Sequence, residues 1–294
     1  MKQTNILLLG VLAAAGLAFL APAAHATGQV TYSSGDILLG FEEPGNGNDY
    51  IVDLGPASYF ITLSQTPGTT DITTAAYSGA GLGNIDADLL STSGSGGFGA
   101  SWYANSNTAG SNVQWGVFGD TKGFGGNFGL PGNTLFETVA EQTPGGGSTA
   151  PAESSPSSQG SIASEFNSFA SGFNNADATT NSTHATFQLT TGLTSWTAND
   201  PSLAAFGGPI GIEQPQSGSN IGPTNSQLDL YELIPTGDAG STGKGGELGD
   251  FTLTSTGQLE FTSAAVPEPS TYAMVGLGAI LLVFFRRNRK STLS

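Results

Sequence analysis

The sequence predicts a mainly β fold, a single jelly-roll-like β-sandwich with one accessory amphipathic helix. Short β-prone runs alternate with segments of turn residues, a pattern typical of antiparallel all-β domains. Glycine makes up 44 of the 294 residues, yet 37% of the residues are hydrophobic and aromatic residues recur, which favours a packed core over disorder. The chain has no cysteine, so a hydrophobic core rather than disulfide bonds must stabilise the fold.

The N-terminus has the three parts of a signal peptide, predicted to span residues 1–26. Lys2 supplies the charged start, residues 6–20 are apolar, and Ala24 and Ala26 form a small-x-small cleavage site. We expect the general secretion machinery to export the chain and signal peptidase to cut after Ala26. A permanent N-terminal anchor is disfavoured by the proline and the small residues that precede the cleavage site.

A β-rich exported domain is predicted over residues 27–265. Its last two strands alternate clearly, because Phe251 and Leu253 share one face and Leu259 and Phe261 continue it after a Ser-Thr-Gly turn. The predicted strands are residues 29–33, 36–41, 49–54, 58–63, 98–104, 113–118, 134–140, 183–190, 228–234, 250–254 and 258–262.

One segment has the periodicity of a helix. Four large apolar residues at positions i, i+4, i+7 and i+11 predict an amphipathic helix over about residues 161–174. They are Ile162, Phe166, Phe169 and Phe173. Packing against the sheet is favoured over an aromatic stripe that binds a ligand. Residues 142–160, just before it, are rich in Pro, Gly and Ser and predict a loose linker or a long loop.

The predicted exported domain is strongly acidic. Residues 27–266 contain 22 acidic residues, no arginine and two lysines, Lys122 and Lys244, so their net charge is −20. Nucleic acid is excluded as a partner, because the cations that neutralise phosphate are absent. The charge favours solubility, and it should repel acidic polysaccharide unless divalent cations bridge the two.

No catalytic group is predicted. The exported domain has one histidine, His184, and lacks both the Gly-x-Ser-x-Gly elbow of serine hydrolases and the several histidines of a catalytic zinc site. We therefore expect that the chain is not an enzyme. Asp86 and Asp88 would lie on one face if their segment were extended.

An acidic loop is a candidate calcium site, and calcium is the one cofactor considered. Glu42, Glu43, Asp49 and Asp53 surround a Gly/Asn-rich turn. Calcium takes roughly six to eight oxygen ligands from such loops in extracellular modules. The spacing of an EF-hand is not met, so a solvated acidic loop stays open as the alternative.

The C-terminal tail, residues 266–294, has three parts in order. Two prolines stiffen the motif at 266–271 by fixing φ and removing backbone donors. The uncharged run at 272–285 predicts a transmembrane helix of about 21 Å. This is shorter than a hydrocarbon core of roughly 30 Å, and long basic side chains that reach up to the membrane surface help to cover the difference. The basic end at 286–290 should stay cytoplasmic as a membrane stop signal. Its charged residues are Arg286, Arg287, Arg289 and Lys290.

These features resemble the PEP-CTERM sorting signal of Gram-negative bacteria. The motif residues are Pro267, Glu268, Pro269, Ser270 and Thr271, with the helix and basic cluster at the expected spacing. The resemblance implies that an exosortase, an integral-membrane cysteine transpeptidase-like enzyme, cuts near the motif. A precursor anchored in the inner membrane would become a cell-surface or extracellular protein. An ordinary tail anchor predicts the same topology but leaves the Pro-Glu-Pro motif unexplained.

Two functions stay open. The resemblance implies a link to exopolysaccharide and biofilm, so the first is a non-catalytic, exported surface or matrix protein that associates with extracellular polysaccharide. The second is a carbohydrate-binding module or glycoside-active enzyme with a β-sandwich fold. Exposed aromatic rings would favour sugar binding, whereas buried rings would belong to the core. The rings in question are Trp102, Tyr103, Trp115 and Trp196.

Overall fold

The computed structural model describes fourteen segments of the chain. They are residues 29–42, 47–73, 82, 84–90, 98, 114–121, 129–140, 148–174, 176–177, 179, 184–189, 214–215, 225–254 and 256–264. The strands are β1 Asp36–Glu42, β2 Asn48–Pro56, β3 Thr69–Asp71, β4 Gln114–Asp120, β5 Leu135–Ala140, β6 Ala185–Leu189, β7 Gln214–Pro215, β8 Asn225–Leu233, β9 Gly246–Thr254 and β10 Leu259–Ser263. The helices are α1 Ala57–Ser64, α2 Ile85–Leu90 and α3 Pro156–Phe173.

The fold is mainly β, as predicted, but these strands form one continuous sheet instead of the two facing sheets of a sandwich. Nine strands follow the order β3-β10-β9-β8-β5-β4-β1-β2-β6, and β7 pairs with β4. Every pairing is antiparallel. Phe261 near one end of the order and Val52 near the other belong to one core cluster, so the sheet is curled. Alternation predicts which residues share a face, but it does not reveal whether a sheet curls or splits.

Both faces of the sheet are covered, which explains why β1 is apolar at consecutive positions. Ile37 and Leu39 belong to the core on the face that packs against α1 and α2, which we call the inner face. Leu38 belongs to a second core with Phe118 and α3, on what we call the helix face. A strand buried on both faces loses the alternation of apolar and polar residues that marks a half-exposed strand.

Most predicted strands are confirmed, with ends that differ by four residues or fewer. They are β1, β2, β4, β5, β6, β8, β9 and β10. The predicted strand at 29–33 is wrong, because only Gln29 forms a bridge, to Asp177, and Val30 instead donates to the Ala176 carbonyl at 2.9 Å. The predicted strand at 98–104 lies outside the described residues except for Phe98.

The predicted strand at 58–63 is also wrong, because this segment is the helix α1. Its Tyr-Phe-Ile-Thr run is β-prone, but Ala57 and Phe60 lie three residues apart and are both buried. The Phe60 ring lies 5.3 Å from the ring of Phe251 and 5.4 Å from that of Phe261. This packing of one helical face against the curled sheet outweighs the local β propensity.

The accessory helix is confirmed as α3, and its aromatic stripe packs as core. Phe166, Phe169 and Phe173 are buried. The helix begins at Pro156, inside the predicted linker. Ser155 caps it by accepting a hydrogen bond from the Ser158 amide at 3.3 Å, and proline is favoured at the first helical position.

A short helix, α2, replaces the extended segment considered for Asp86 and Asp88. Residues two apart on a helix do not share a face, so the two carboxyl groups separate. Asp88 is buried and accepts hydrogen bonds from the hydroxyls of Tyr50 at 2.9 Å and Thr179 at 2.7 Å. Asp88 thus has a structural role, joining α2 to β2 and to the segment before β6.

Candidate functional site

Seven carboxyl side chains lie on the helix face of the sheet, and each is at most 6% exposed. Their positions follow from strand alternation and register, since each lies an even number of residues from a helix-face core residue on the same strand. They are Asp36, Glu42, Asp49, Asp53, Asp120, Glu137 and Asp229. Buried carboxyl groups in this number, in a chain with few cations, are the most unusual chemical feature of the described residues.

Three of these groups form what we call the acid cluster, made by Asp36, Asp53 and Asp120 beneath Tyr32. Asp36 of β1 lies beside Asp120 of β4, because the neighbouring residues Ile37 and Gly119 are paired. Asp53 of β2 is paired with Leu38, which places it diagonally across from Asp36. Diagonal neighbours on one face lie about 7–8 Å apart, so the side chains are within range of electrostatic interaction.

Hydrogen bonds satisfy part of the acid cluster. Asp36 accepts from the Ser33 amide at 2.8 Å, and Asp53 Oδ1 accepts from the Gly55 amide at 2.8 Å. Both carboxylate oxygens of Asp120 accept from Asn167 Nδ2 of α3, at 3.2 and 2.9 Å. The Asp53 Oδ2 atom is buried without a hydrogen-bond partner. An unpaired carboxylate oxygen in a dry site strongly disfavours the ionised form.

The pKa values of the cluster are raised accordingly. Burial raises the pKa of Asp36 to about 6. Burial, and then the charge of Asp36, raise the pKa of Asp53 to about 8. The pKa of Tyr32 is raised by burial and then by the charges of Asp120, Asp36 and Asp53. At neutral pH, Asp53 therefore carries a proton while Asp36 is ionised.

Basic side chains do not offset these charges in the described part of the chain. Of the seven Lys and Arg residues, only Lys244 is described, and it is exposed. Lys122 follows Asp120 by two positions and lies outside the described residues. His184 is half-buried, and burial lowers the pKa of its imidazole, which disfavours the cationic form.

A second pair of carboxyl groups, Glu137 and Asp229, lies diagonally across β5 and β8. Glu137 is paired with Tyr231, and Asp229 lies two residues before Tyr231. Burial raises the pKa of Glu137 to about 7. Asp229 Oδ2 accepts a hydrogen bond from the backbone amide of Ser148. The side-chain hydroxyl of Ser148 donates to the Tyr231 hydroxyl at 3.0 Å. Glu137 Oε1 and Asp229 Oδ1 have no hydrogen-bond partner.

The candidate calcium residues divide between two places on the helix face. Glu42 and Asp49 lie opposite each other at the β1–β2 turn, because Phe41 and Tyr50 are paired. Asp53 lies four residues along β2 from Asp49, about 13 Å away, so one ion could not bind both. Glu43 lies outside the described residues. Within the described segments no group of three or more His, Asp or Glu residues is arranged to hold a metal ion, and calcium stays a prediction for the turn.

One of the candidate sugar-binding rings is placed in the core. Trp115 is fully buried and stacks on Phe41 at a centroid distance of 6.3 Å and an interplanar angle of 20°. It therefore presents no ring face to a sugar. Trp102, Tyr103 and Trp196 lie outside the described residues.

Sequence reasoning missed the acid cluster and the Glu137–Asp229 pair. A local signal was present, because Asp53 stands inside the strand Ile-Val-Asp-Leu, where a charged residue interrupts an apolar run. What the sequence lacked was the strand order. Asp36 meets Asp120 only because β1 pairs with β4, which lies over 70 residues further along the chain.

The residues predicted to have targeting roles lie at the two ends of the chain, outside the described residues. They are Ala24, Ala26, the motif Pro267 to Thr271, the run 272–285 and the basic residues Arg286, Arg287, Arg289 and Lys290. Among the helices that the structure does describe, none has the length and apolar character needed to cross a membrane.

Comparison with known proteins identifies the tail. Residues 265–290 match the family model of the PEP-CTERM protein-sorting motif. No curated protein and no solved structure matches the chain. The resemblance drawn from the tail residues is confirmed, and the motif implies a secreted, membrane-transiting protein that exosortase sorts in Gram-negative bacteria.

Proposed function

We propose that this exosortase substrate is a non-catalytic protein of the cell surface or extracellular matrix, held there by association with exopolysaccharide. The observation that carries the proposal is the sorting motif at residues 265–290. Its precursor is anchored in the inner membrane through residues 272–285, with the basic end in the cytoplasm. Signal peptidase removes residues 1–26, and exosortase cuts near Pro267.

The end of the fold supports processing without unfolding. The Ser263 amide donates to the Gly68 carbonyl at 3.1 Å, and the Ala264 amide donates to the Leu248 carbonyl at 3.1 Å. Pro267 follows Ala264 by three residues, about 10 Å of extended chain. A cut at the motif therefore leaves every described strand intact. The released domain keeps the hydrogen bonds that hold β10.

The burial of the acidic groups supports a non-catalytic role. Glu137 and Asp229 are the described pair that best fits acid–base chemistry, and they are 3% and 0% exposed. A substrate would have to displace the residues that cover them. His184, the one histidine of the exported domain, is itself half-buried.

Association with polysaccharide follows from charge. The exported domain carries a net charge of −20, so divalent cations are needed to bridge it to an acidic polymer. Glu42 and Asp49 at the β1–β2 turn are 6% and 0% exposed, so a bridging cation would take ligands from exposed carboxylates such as Glu165 and Glu247.

The alternative is a carbohydrate-binding or glycoside-active protein. The Glu137–Asp229 pair is the observation that favours it, because glycosidases use two carboxyl groups and often raise the pKa of one. Replacing Glu137 with Gln would then abolish glycan hydrolysis by the exported protein. The non-catalytic proposal expects no hydrolysis in either the wild type or the variant.

Sorting is tested by replacing Pro267, Glu268 and Pro269 with alanine in the native host and fractionating the cells. The wild type should be found at the surface or in the medium, and the variant should stay in the inner membrane. Alanine at residues 291–293, in the same tail but past the basic end, is the matched control and should behave as wild type. Export and trimming of the Pro-Glu-Pro variant would contradict the proposal.

Matrix association is tested by sedimenting the exported protein with the host's extracellular polysaccharide. Calcium should increase the bound fraction and EDTA should reduce it. Equal sedimentation with calcium, with EDTA and without polysaccharide would show that the protein does not associate with the polymer.

A further inference from the structure

We infer that residues 29–35 form a pH-dependent strap, which stays closed on the acid cluster while the cluster holds a proton and opens when the last proton is lost. The strap runs along the C-terminal end of α3 and enters β1 at Asp36. It carries Tyr32, whose side chain reaches the three aspartates of the cluster.

The strap is held by hydrogen bonds and by the side chains of Val30 and Tyr32. Val30 is its one large side chain that is fully buried. The Val30 amide donates to the Ala176 carbonyl at 2.9 Å, and the Tyr32 amide donates to Asn174 Oδ1 at 3.3 Å. The Tyr32 ring meets Phe166 edge-on at 6.3 Å.

The two ends of the strap are bonded as well. Gln29 bridges Asp177, and the Gly35 carbonyl accepts from the Ala57 amide at 2.9 Å. Because none of these bonds belongs to a strand pairing of the sheet, the strap can open without unfolding it.

The acid cluster lies directly under this segment. Ser33 donates its amide to the Asp36 carboxylate, so the strap is bonded to the cluster itself. Asp53 is fully buried, and its Oδ2 atom has no hydrogen-bond partner, so a proton is the ligand that best stabilises it. This orphaned oxygen is independent of the strap contacts and points to the same site.

The groups facing the cluster come from every element packed around it. β1 contributes Asp36, β2 contributes Asp53, and β4 contributes Asp120. The helix α3 contributes the neutral Asn167, since Glu165 on that helix is exposed. Two further titratable groups lie nearby on flanking elements. His184 precedes β6, and its backbone carbonyl accepts from the Asp53 amide at 2.8 Å. Glu137 lies on β5, where it is paired with Phe118 of β4. None of these described groups supplies a positive charge at alkaline pH.

The direction of the pH dependence follows from the raised carboxyl pKa values. Asp53 has a pKa of about 8 in the folded protein, against about 3.9 for an unfolded aspartate. A raised pKa stabilises the closed state fully at low pH, and this contribution is lost as the pH rises towards and through 8. Above that pH three carboxylates face Tyr32, and entry of water beneath the strap relieves their repulsion.

Hydrogen exchange of the exported protein between pH 5 and pH 9 tests the strap, with rates corrected for intrinsic exchange. Protection of the Val30, Tyr32 and Ser33 amides should fall by up to about tenfold per pH unit between pH 5 and pH 8 and level off above pH 8. Amides of β9 should keep their protection. Loss of protection in the strap and β9 together would show global unfolding and overturn the inference.

Asp53→Asn is the deciding variant, because the amide is a neutral mimic of the protonated acid. It should keep the strap protected up to pH 9. Asp36→Asn retains a carbonyl acceptor for the Ser33 amide and should also delay opening, which keeps the test decisive if the first variant does not fold. Asp229→Asn is the matched control, since it removes a buried carboxyl group from β8, two strands away from β4, and should leave strap opening unchanged.

Three results would overturn the inference. Strap exchange could be independent of pH in the wild type. Asp53→Asn could open as the wild type does. Calcium could restore wild-type protection at pH 9 while the strap of Asp53→Asn exchanges rapidly with or without calcium, which would make the cluster a cation site instead of a proton site.

Discussion

At the residue scale, the buried carboxyl groups set how stability depends on pH. Burial raises the pKa of Glu137 to about 7, so its ionisation is disfavoured in the folded protein. A raised folded-state pKa contributes stability that is complete below the unfolded value, about 4.3, and is lost as the pH rises through 7. Stability should therefore decline from acidic towards alkaline pH, contrary to the usual behaviour of paired carboxylates.

Glu137→Gln should raise the free energy of unfolding at pH 8 by about 1–3 kcal/mol and change it little at pH 4. The reason is that the amide never has to be ionised in a buried site. Urea unfolding at the two pH values measures the difference. Glu165→Gln, on the exposed side of α3, is the control and should have little effect at either pH. A gain of equal size at both pH values would mean that ionisation is not the cause.

Gly249 is required by close contact between β9 and β10. Its φ is +153°, and a Cβ there would lie 2.2 Å from the Thr262 carbonyl oxygen and 2.8 Å from Phe261 Cζ. Gly249→Ala should therefore destabilise the domain by about 2–4 kcal/mol, measured as a lower thermal midpoint. Gly246→Ala on the same strand is the control, because nothing lies within 4 Å of its added Cβ. Equal midpoints for the two variants would contradict this account of the contact.

The order of the strands explains why the acid cluster could not be predicted from the sequence. Asp53 could be recognised as unusual, because it interrupts an apolar strand. Its meeting with Asp36 and Asp120 depends on a bulge between Ile37 and Leu38 and on the pairing of β1 with β4. Neither is encoded by local periodicity. The candidate calcium residues do not all meet for a different reason, since Asp49 and Asp53 lie four residues apart on the extended strand β2.

At the element scale, the helix α1 shows how tertiary packing outweighs propensity. The run 58–63 was predicted as a strand from its β-prone residues, whereas α3 was predicted correctly. The difference is length, because α3 repeats its apolar positions over several turns and α1 has only two. A run of six residues gives too few repeats to tell a period of 2 from one of 3.6.

Phe60→Ala tests the packing of α1. It should destabilise the domain by about 3–5 kcal/mol, because the ring is fully buried between Phe251 and Phe261 and a cavity would remain. Tyr59→Ala, whose ring is half-buried beside Phe60, should cost clearly less. Chemical denaturation of both variants gives the comparison. Equal losses would indicate that α1 does not insert Phe60 into the core.

For the molecule as a whole, the sequence predicted the C-terminal tail better than the domain that precedes it. The sorting tail is a linear motif, so its residues carry the signal without needing a fold, and its match at 265–290 confirms it. The domain was predicted as mainly β with one accessory helix, and both features are present. The single curled sheet was not predicted, because whether ten strands form one sheet or two depends on contacts between distant residues.

In the proposed processing, two cuts release the exported domain from its targeting segments. The N-terminal cut is expected after Ala26, so two residues separate it from Gln29, the first residue that the structure describes. The C-terminal cut is expected about 10 Å of chain beyond Ala264. Both cuts fall outside the hydrogen-bonded sheet. The domain should therefore keep its fold, and its pH-dependent strap, after release.

The intact mass of the protein recovered from the surface or medium of the native host is the most direct test of this claim. We expect a single chain that begins near Thr27 and ends near Pro267, without the apolar run 272–285. A recovered chain that still carries that run and the basic end would contradict processing at the motif and leave the tail as a simple membrane anchor.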